Sequence, residues 1–172
     1  MTAAFSQLSQ APYPAQCRMD AVETLSSCAG DLGMVGGQVL DMQSEQRVCT
    51  EQEVLDVQSR KTGALIRAAC VLGVLAGDGT ESQRAAAETF AGHLGVAFQI
   101  RDDMLDVIGD AQTLGKATGV DAGKNTFVRL YGLEKCEELV KDSTEKALEA
   151  LRVFANREYM TALATHLTTR IH

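Results

Sequence analysis

The sequence predicts an all-α protein, and three observations carry that prediction. Long runs rich in Ala, Leu, Val and Glu alternate with short breaks that contain Gly or Asp. No segment alternates apolar and polar residues for long enough to form a strand. The only 2 prolines, Pro12 and Pro14, stand together near the start of the chain. Beyond that point the apolar spacing predicts five or six helices, at about 15–43, 51–77, 80–108, 126–154 and 157–170, with the second and fourth each broken once. With 172 residues the chain is long enough to bury a sizeable core, and residues 1–172 read as a single helical domain.

The elements follow in chain order. Met1-Thr-Ala-Ala-Phe-Ser-Gln-Leu8 reads as the last two turns of a helix, with Phe5 and Leu8 on one face. A helix that short is not stable alone in water, so it reads as the end of something longer. Ser9-Gln-Ala-Pro-Tyr-Pro-Ala15 is a loop, because X-Pro dipeptides push the chain away from helix. The first long helical stretch contains Gly30, Gly33, Gly36 and Gly37, and the third contains Gly92 and Gly95. Each interior glycine costs a helix roughly 0.5–1 kcal/mol relative to alanine. Either a backbone or ligand comes close there, or these are turns; the apolar periodicity that runs through them favours close approach. In the second stretch the run Ala64-Leu-Ile-Arg-Ala-Ala-Cys-Val-Leu72 follows directly on Lys61-Thr62. The fourth and fifth rest on the same apolar patterning.

Composition removes several function classes. Apolar residues make up 45%, which excludes a disordered chain. With 16 Lys plus Arg against 23 Asp plus Glu, the net charge is −7 and no basic cluster occurs, so no nucleic acid and no anionic membrane surface is expected as a partner. The longest apolar stretch, Gly63 to Gly77, is interrupted by Arg67 and is too short for a membrane span. The start of the chain lacks the basic, apolar and small-residue regions of a signal peptide. The 5 cysteines form no C-x-x-C pair and have no His at metal spacing, so they read as reduced thiols packed as small hydrophobes in a cytoplasmic protein.

The chemistry is concentrated in Phe98-Gln-Ile-Arg-Asp-Asp-Met-Leu-Asp-Val-Ile-Gly-Asp110. With Gln99 at zero and steps of about 100° per residue, Asp102, Asp103 and Asp106 fall near roughly 300°, 40° and 340°. They make one stripe centred on Gln99, and the remaining wheel is apolar except for Arg101. A helix apolar around most of its circumference is buried, so the stripe is expected to face an internal cavity. Three carboxylates in two turns repel and are costly to desolvate, and a cation would neutralise them. Hard oxygen ligands without His or Cys point to Mg²⁺, which keeps waters and bridges to phosphate oxygens. Lys61-Thr62, Lys116 and Lys124 are candidate partners for a diphosphate. Gly119-Val-Asp-Ala-Gly-Lys-Asn125 is not a P-loop: it is one residue short, has Asn where Ser or Thr is required, and follows no strand.

These residues carry a resemblance. Phe98-Gln-x-x-Asp-Asp-x-x-Asp106, followed by Gly-Asp and Leu114-Gly-Lys116, resembles the second aspartate-rich region of trans-prenyl diphosphate synthases. Gly36-Gly-Gln-x-x-Asp41 and Lys61-Thr62-Gly63-x-Leu65 are similar to two more motifs of that family, in the same order. The resemblance runs through nearly the whole chain and is closest to the bacterial farnesyl/geranyl type. It implies an isoprenoid-synthase helical bundle and a Mg²⁺-dependent prenyltransferase that joins isopentenyl diphosphate to an allylic diphosphate. By the same implication Asp102 is the main Mg²⁺ ligand, with Asp103 and Asp106 supporting the metal from around it or binding it through water. Lys61 and Lys116 hold the allylic diphosphate, Lys124 belongs to the same diphosphate site, and Thr62 and Gln99 lie beside the reacting carbons.

The departures from the family pattern shape the expectation. The first aspartate-rich motif and the basic residues for isopentenyl diphosphate are absent, so the chain resembles the C-terminal half of such an enzyme and alone is expected to be inactive. A non-catalytic helical subunit that modulates a complete synthase is the alternative reading. A terpene cyclase relative would share the Mg²⁺ site but not Lys61-Thr62 or Gly36-Gly-Gln-x-x-Asp41. An uncovered apolar face also implies a homodimer or a partner subunit, with Val35, Val39 and Leu40 in the 15–43 stretch as the candidate contact.

Overall fold

The computed structural model describes residues 1–45, 47–114 and 125–170, and the side chains of all of these except 110–114. Every regular element among them is helical. The order is α1 (Thr2–Gln10), α2 (Ala15–Ala29), α3 (Met34–Ser44), α4 (Glu51–Gln58), a π turn (Ser59–Gly63), α5 (Ala64–Ala76), α6 (Glu81–Leu114), α7 (Phe127–Ala150), a 3-10 turn (Leu151–Val153) and α8 (Glu158–Thr169). None of these helices is long and apolar enough to cross a membrane.

The expected 15–43 helix is two helices. Gly30 ends α2, its N–H bonding the Ser26 carbonyl at 2.9 Å, and Gly33 caps α3. A Cβ at Gly33 would lie 1.9 Å from the Cys28 carbonyl oxygen, so only glycine fits the turn. The apolar periodicity that favoured close approach continues on both sides of this turn, which is why it did not mark the break. The two later breaks fall inside the expected helices. The second stretch passes through the π turn, and α7 bends at Gly132, whose φ of 76° lies in the left-handed region. Helix α6 runs farther than expected, to Leu114.

Caps place the other starts. Thr50 and Glu53 form a reciprocal capping box at α4, with the Thr50 N–H donating to Glu53 Oε2 at 2.9 Å. Thr80 and Gln83 do the same at the start of α6, and Thr126 Oγ1 accepts from the Arg129 N–H at α7.

Helix α6 is the axis of the packing. Its Ala97, Ile100 and Met104 meet Val54 of α4 and Phe127, Cys136 and Val140 of α7. Its Phe90 and Leu94 meet Ala147, Leu151 and Ala164. Leu25, Cys28 and Ala29 of α2 close on Ala64 and Ala68 of α5, and Phe5 and Leu8 of α1 pack against that cluster. All five cysteines are free, and Cys28, Cys49 and Cys136 are buried. Burial pushes the Cys136 thiol up to about 11, as expected of an inert packing residue.

Candidate functional site

The π turn presents the lysine–threonine pair. Its i→i+5 bonding accommodates one residue more than an α turn, a device that recurs at functional sites. Lys61 Nζ meets Asp41 Oδ2 of α3 at 2.5 Å, both side chains half-buried. One helical turn before Asp41, Gly37 lets the two backbones touch: a Cβ there would lie 2.4 Å from the Lys61 nitrogen. This is the close approach expected of the glycines, found at Gly37 and not at Gly33. An ammonium has three donors, so the Asp41 pair leaves Lys61 others to offer.

Thr62 ties the turn to the aspartate helix. Its hydroxyl donates to Gln99 Oε1 at 3.0 Å, and Gln99 Nε2 donates to Asp103 Oδ1 at 3.0 Å. Asp103 Oδ2 accepts the Phe127 N–H at 2.9 Å. Phe127 is the first residue of α7, and a helix start carries unpaired N–H donors and partial positive charge. Asp103 thus caps α7 from a different helix. Burial outweighs these bonds and holds its carboxyl above the usual range.

The three carboxylates do not share one environment, which corrects the expectation of a stripe facing an internal cavity. Asp103 is buried, Asp102 is partly exposed, and Asp106 is exposed. The stripe straddles the edge of the packing: α7 covers the Asp103 side and leaves the Asp106 side open. Beyond Met104 the enclosure is partial: Val107 still packs on the core, while Ile108 is exposed. Among the described residues no three His, Cys, Asp or Glu groups converge as a metal cage. Lys116 and Lys124 lie outside the described residues.

Two arginines that sequence reasoning gave no role belong to this region. Arg101 is buried; its Nε donates to the Thr168 carbonyl at 2.7 Å and its Nη2 to Glu137 Oε1 at 2.7 Å. A lone charge on an otherwise apolar wheel requires partners, and that was the available signal. Arg170, just past α8, pairs with Asp102 Oδ1, and its guanidinium lies 4.5 Å from the centre of the Phe98 ring. No periodicity or spacing marked it.

Next to Thr62 and Phe98 opens an apolar cavity of about 760 Å³ between α5, α6 and α8, with Ile66, Cys70, Phe90 and Leu163 among its walls. The polar relay and the apolar cavity therefore meet at Thr62.

The model of the polyprenyl synthetase family matches residues 1–165. The chain belongs to that family. It is 38% identical over 179 residues to the farnesyl diphosphate synthase of Escherichia coli (strain K12), an alignment that covers 98% of this chain and 60% of the relative. Among solved structures, an FPP/GFPP synthase from Zymomonas mobilis superposes with a TM-score of 0.86 at 29% identity, over 96% of this chain and 57% of the other. A geranyltransferase from Helicobacter pylori complexed with magnesium and isoprenyl diphosphate gives 0.78 at 28% identity, over 97% and 55%. The polyprenyl synthetase chain described here thus spans about 60% of the length of that curated relative. The all-helical architecture expected from the sequence is that of these neighbours.

Proposed function

We propose that this chain supplies a Mg²⁺- and diphosphate-binding wall for a prenyltransferase that joins isopentenyl diphosphate to an allylic diphosphate of the geranyl/farnesyl type. The observation that carries the reading is the Thr62–Gln99 bond of 3.0 Å, which sets the lysine turn against the aspartate helix. Asp41 adds the third motif through Lys61, so three segments far apart in sequence meet at one place.

The donor set fits the metal. Asp102, partly exposed, and Asp106, exposed, stand one helical turn apart, and Mg²⁺ usually takes one or two carboxylates plus waters and substrate phosphates rather than an all-protein cage. Bound there, Mg²⁺ would neutralise charge on a departing diphosphate. Lys61 would add a fixed positive charge on that diphosphate, with Lys116 and Lys124 as further proposed contacts. Asp103, with both oxygens engaged, would hold Gln99 and the start of α7 in place while Asp102 and Asp106 meet the metal. Thr62 and Gln99 would orient the reacting end, and the apolar cavity beside Thr62 would keep water from the allylic carbons. Five free thiols fit a reducing, cytoplasmic setting.

Calorimetric titration with pyrophosphate tests this reading. Heat of binding should appear with Mg²⁺ and vanish without it; equal binding in both conditions would remove the metal site. The chain alone is expected to bind but not to condense. The family pattern also includes a first aspartate-rich motif, which these residues lack, and each missing charge-stabilising contact costs about 10²–10³ in rate. Radiolabelled isopentenyl diphosphate appearing in a farnesyl product would contradict that.

Assembly belongs to the same proposal. Val35, Val39 and Met42 lie at i, i+4 and i+7 on α3 and are 49%, 48% and 60% exposed, an uncovered apolar face. Leu40, also expected in this contact, is only partly exposed. We expect a second copy or a partner subunit to cover the face. Light scattering at micromolar concentration should report a species larger than the monomer, and Val39→Glu should shift it toward the monomer; a wild-type monomer would overturn the expectation.

A further inference from the structure

We infer that Arg170 is an internal counter-ion of the metal site, which occupies Asp102 until a divalent cation displaces it and so sets the affinity for that cation. The inference rests on the proposed role of Asp102 and goes beyond it. Arg170 pairs with Asp102 Oδ1, on a side chain that is 36% exposed. Its guanidinium also lies against Phe98, one turn before Asp102, with 4.5 Å to the ring centre. A cation over an aromatic face is attracted by the ring quadrupole, so Phe98 holds the arginine where it meets the carboxylate.

A second observation shows that this placement is built into the packing. Arg101 of α6 grips the carbonyl of Thr168, a residue only 1% exposed, at 2.7 Å. The end of α8 is thereby fixed to α6 one residue before the metal-site aspartate, and Arg170 follows Thr168 by two positions. Asp102 is the neighbour of Arg101 in sequence, so the anchor and the pair share one turn of α6. Among the described residues, Arg170 Nε and Nη2 are both buried without a hydrogen-bond acceptor, and Nη2 meets Asp102 as an ion pair only. A buried donor left unpaired is costly, which makes the closed arrangement easier to displace than a fully bonded pair.

The physical consequence is competition. A divalent cation and a guanidinium cannot both take the same carboxylate oxygen, and each lowers the free energy of an ionised Asp102. Metal binding then costs the Arg170–Asp102 pair, and removing the arginine should tighten it. Side-chain exposures of 24% and 36% for Arg170 and Asp102 place the pair between a surface and a buried ion pair. The expected gain is therefore about two- to tenfold in affinity.

The test is Mn²⁺ binding to the full chain without pyrophosphate, followed by electron paramagnetic resonance of the free ion. Arg170→Gln should bind about two- to tenfold more tightly than wild type, and Arg170→Lys, which keeps the charge, should gain less. Arg152→Gln removes an exposed arginine paired with Glu149 on the surface and serves as the control for net charge. Unchanged or weaker binding by Arg170→Gln, or an equal gain in Arg152→Gln, would overturn the inference. A variant that merely loosened the fold would bind more weakly and also count against it. Asp102→Ala separates the two levels. If it abolishes Mn²⁺ binding while Arg170→Gln changes nothing, the metal-site reading stands and the counter-ion fails; if it leaves wild-type binding intact, both fail.

Discussion

Asp102→Ala should reduce the affinity for Mg²⁺ with pyrophosphate by more than the roughly 10–100-fold that losing an outer partner of a metal ligand costs. The substitution removes an accessible carboxylate at the place where the lysine turn meets α6. It leaves the Gln99–Asp103–Phe127 relay intact, because none of those bonds uses Asp102. The described pairing it removes is the partly exposed one with Arg170, so the melting temperature should change far less than binding does. Calorimetry and thermal melting on the same variant separate the two effects. A large fall in melting temperature with binding retained would make Asp102 structural.

Phe127→Ala should have the opposite signature. Phe127 is 1% exposed and sits among Ala97, Ile100, Met104, Val128 and Cys136. Its ring also stacks on Tyr131, with centroids 6.4 Å apart. Truncating a buried phenylalanine costs about 3–5 kcal/mol, from lost transfer energy plus the cavity left behind. That is a large share of a usual net stability of about 5–15 kcal/mol. Urea denaturation should show a lower midpoint. The backbone N–H that holds Asp103 is still present in the variant, so at low temperature Mg²⁺–pyrophosphate affinity should fall far less than in Asp102→Ala. A midpoint unchanged from wild type would contradict the packing described for the α6–α7 interface.

The helices were legible because burial on one face repeats with the helical period, and α2, α5, α6 and α8 obey that pattern. Breaks were less legible. Gly33 and Gly37 are identical in sequence terms, yet one closes a turn against the Cys28 carbonyl and the other lies against the Lys61 backbone. Only the neighbouring chain distinguishes them. The aspartates show the same limit. Helical spacing places Asp102, Asp103 and Asp106 on one side of α6 but carries no information about where α7 begins. Phe127 does that: its unpaired N–H draws Asp103 inward and leaves Asp106 outside. Lys61 and Thr62 were singled out by the motif, while Arg170 had no signal at all, since its partner lies on another helix. Long-range pairing of charges is a property of the fold and not of any local pattern.

The most direct measurement is a crystal structure of the protein grown with Mn²⁺ and pyrophosphate, with anomalous diffraction locating the metal. The expected result is a peak within coordination distance of Asp102, bridged to a diphosphate oxygen, with Lys61 near the same diphosphate and Arg170 moved off the carboxylate. A peak elsewhere, or a diphosphate bound with the Arg170–Asp102 pair still closed, would contradict the assignment of this aspartate helix as the metal wall.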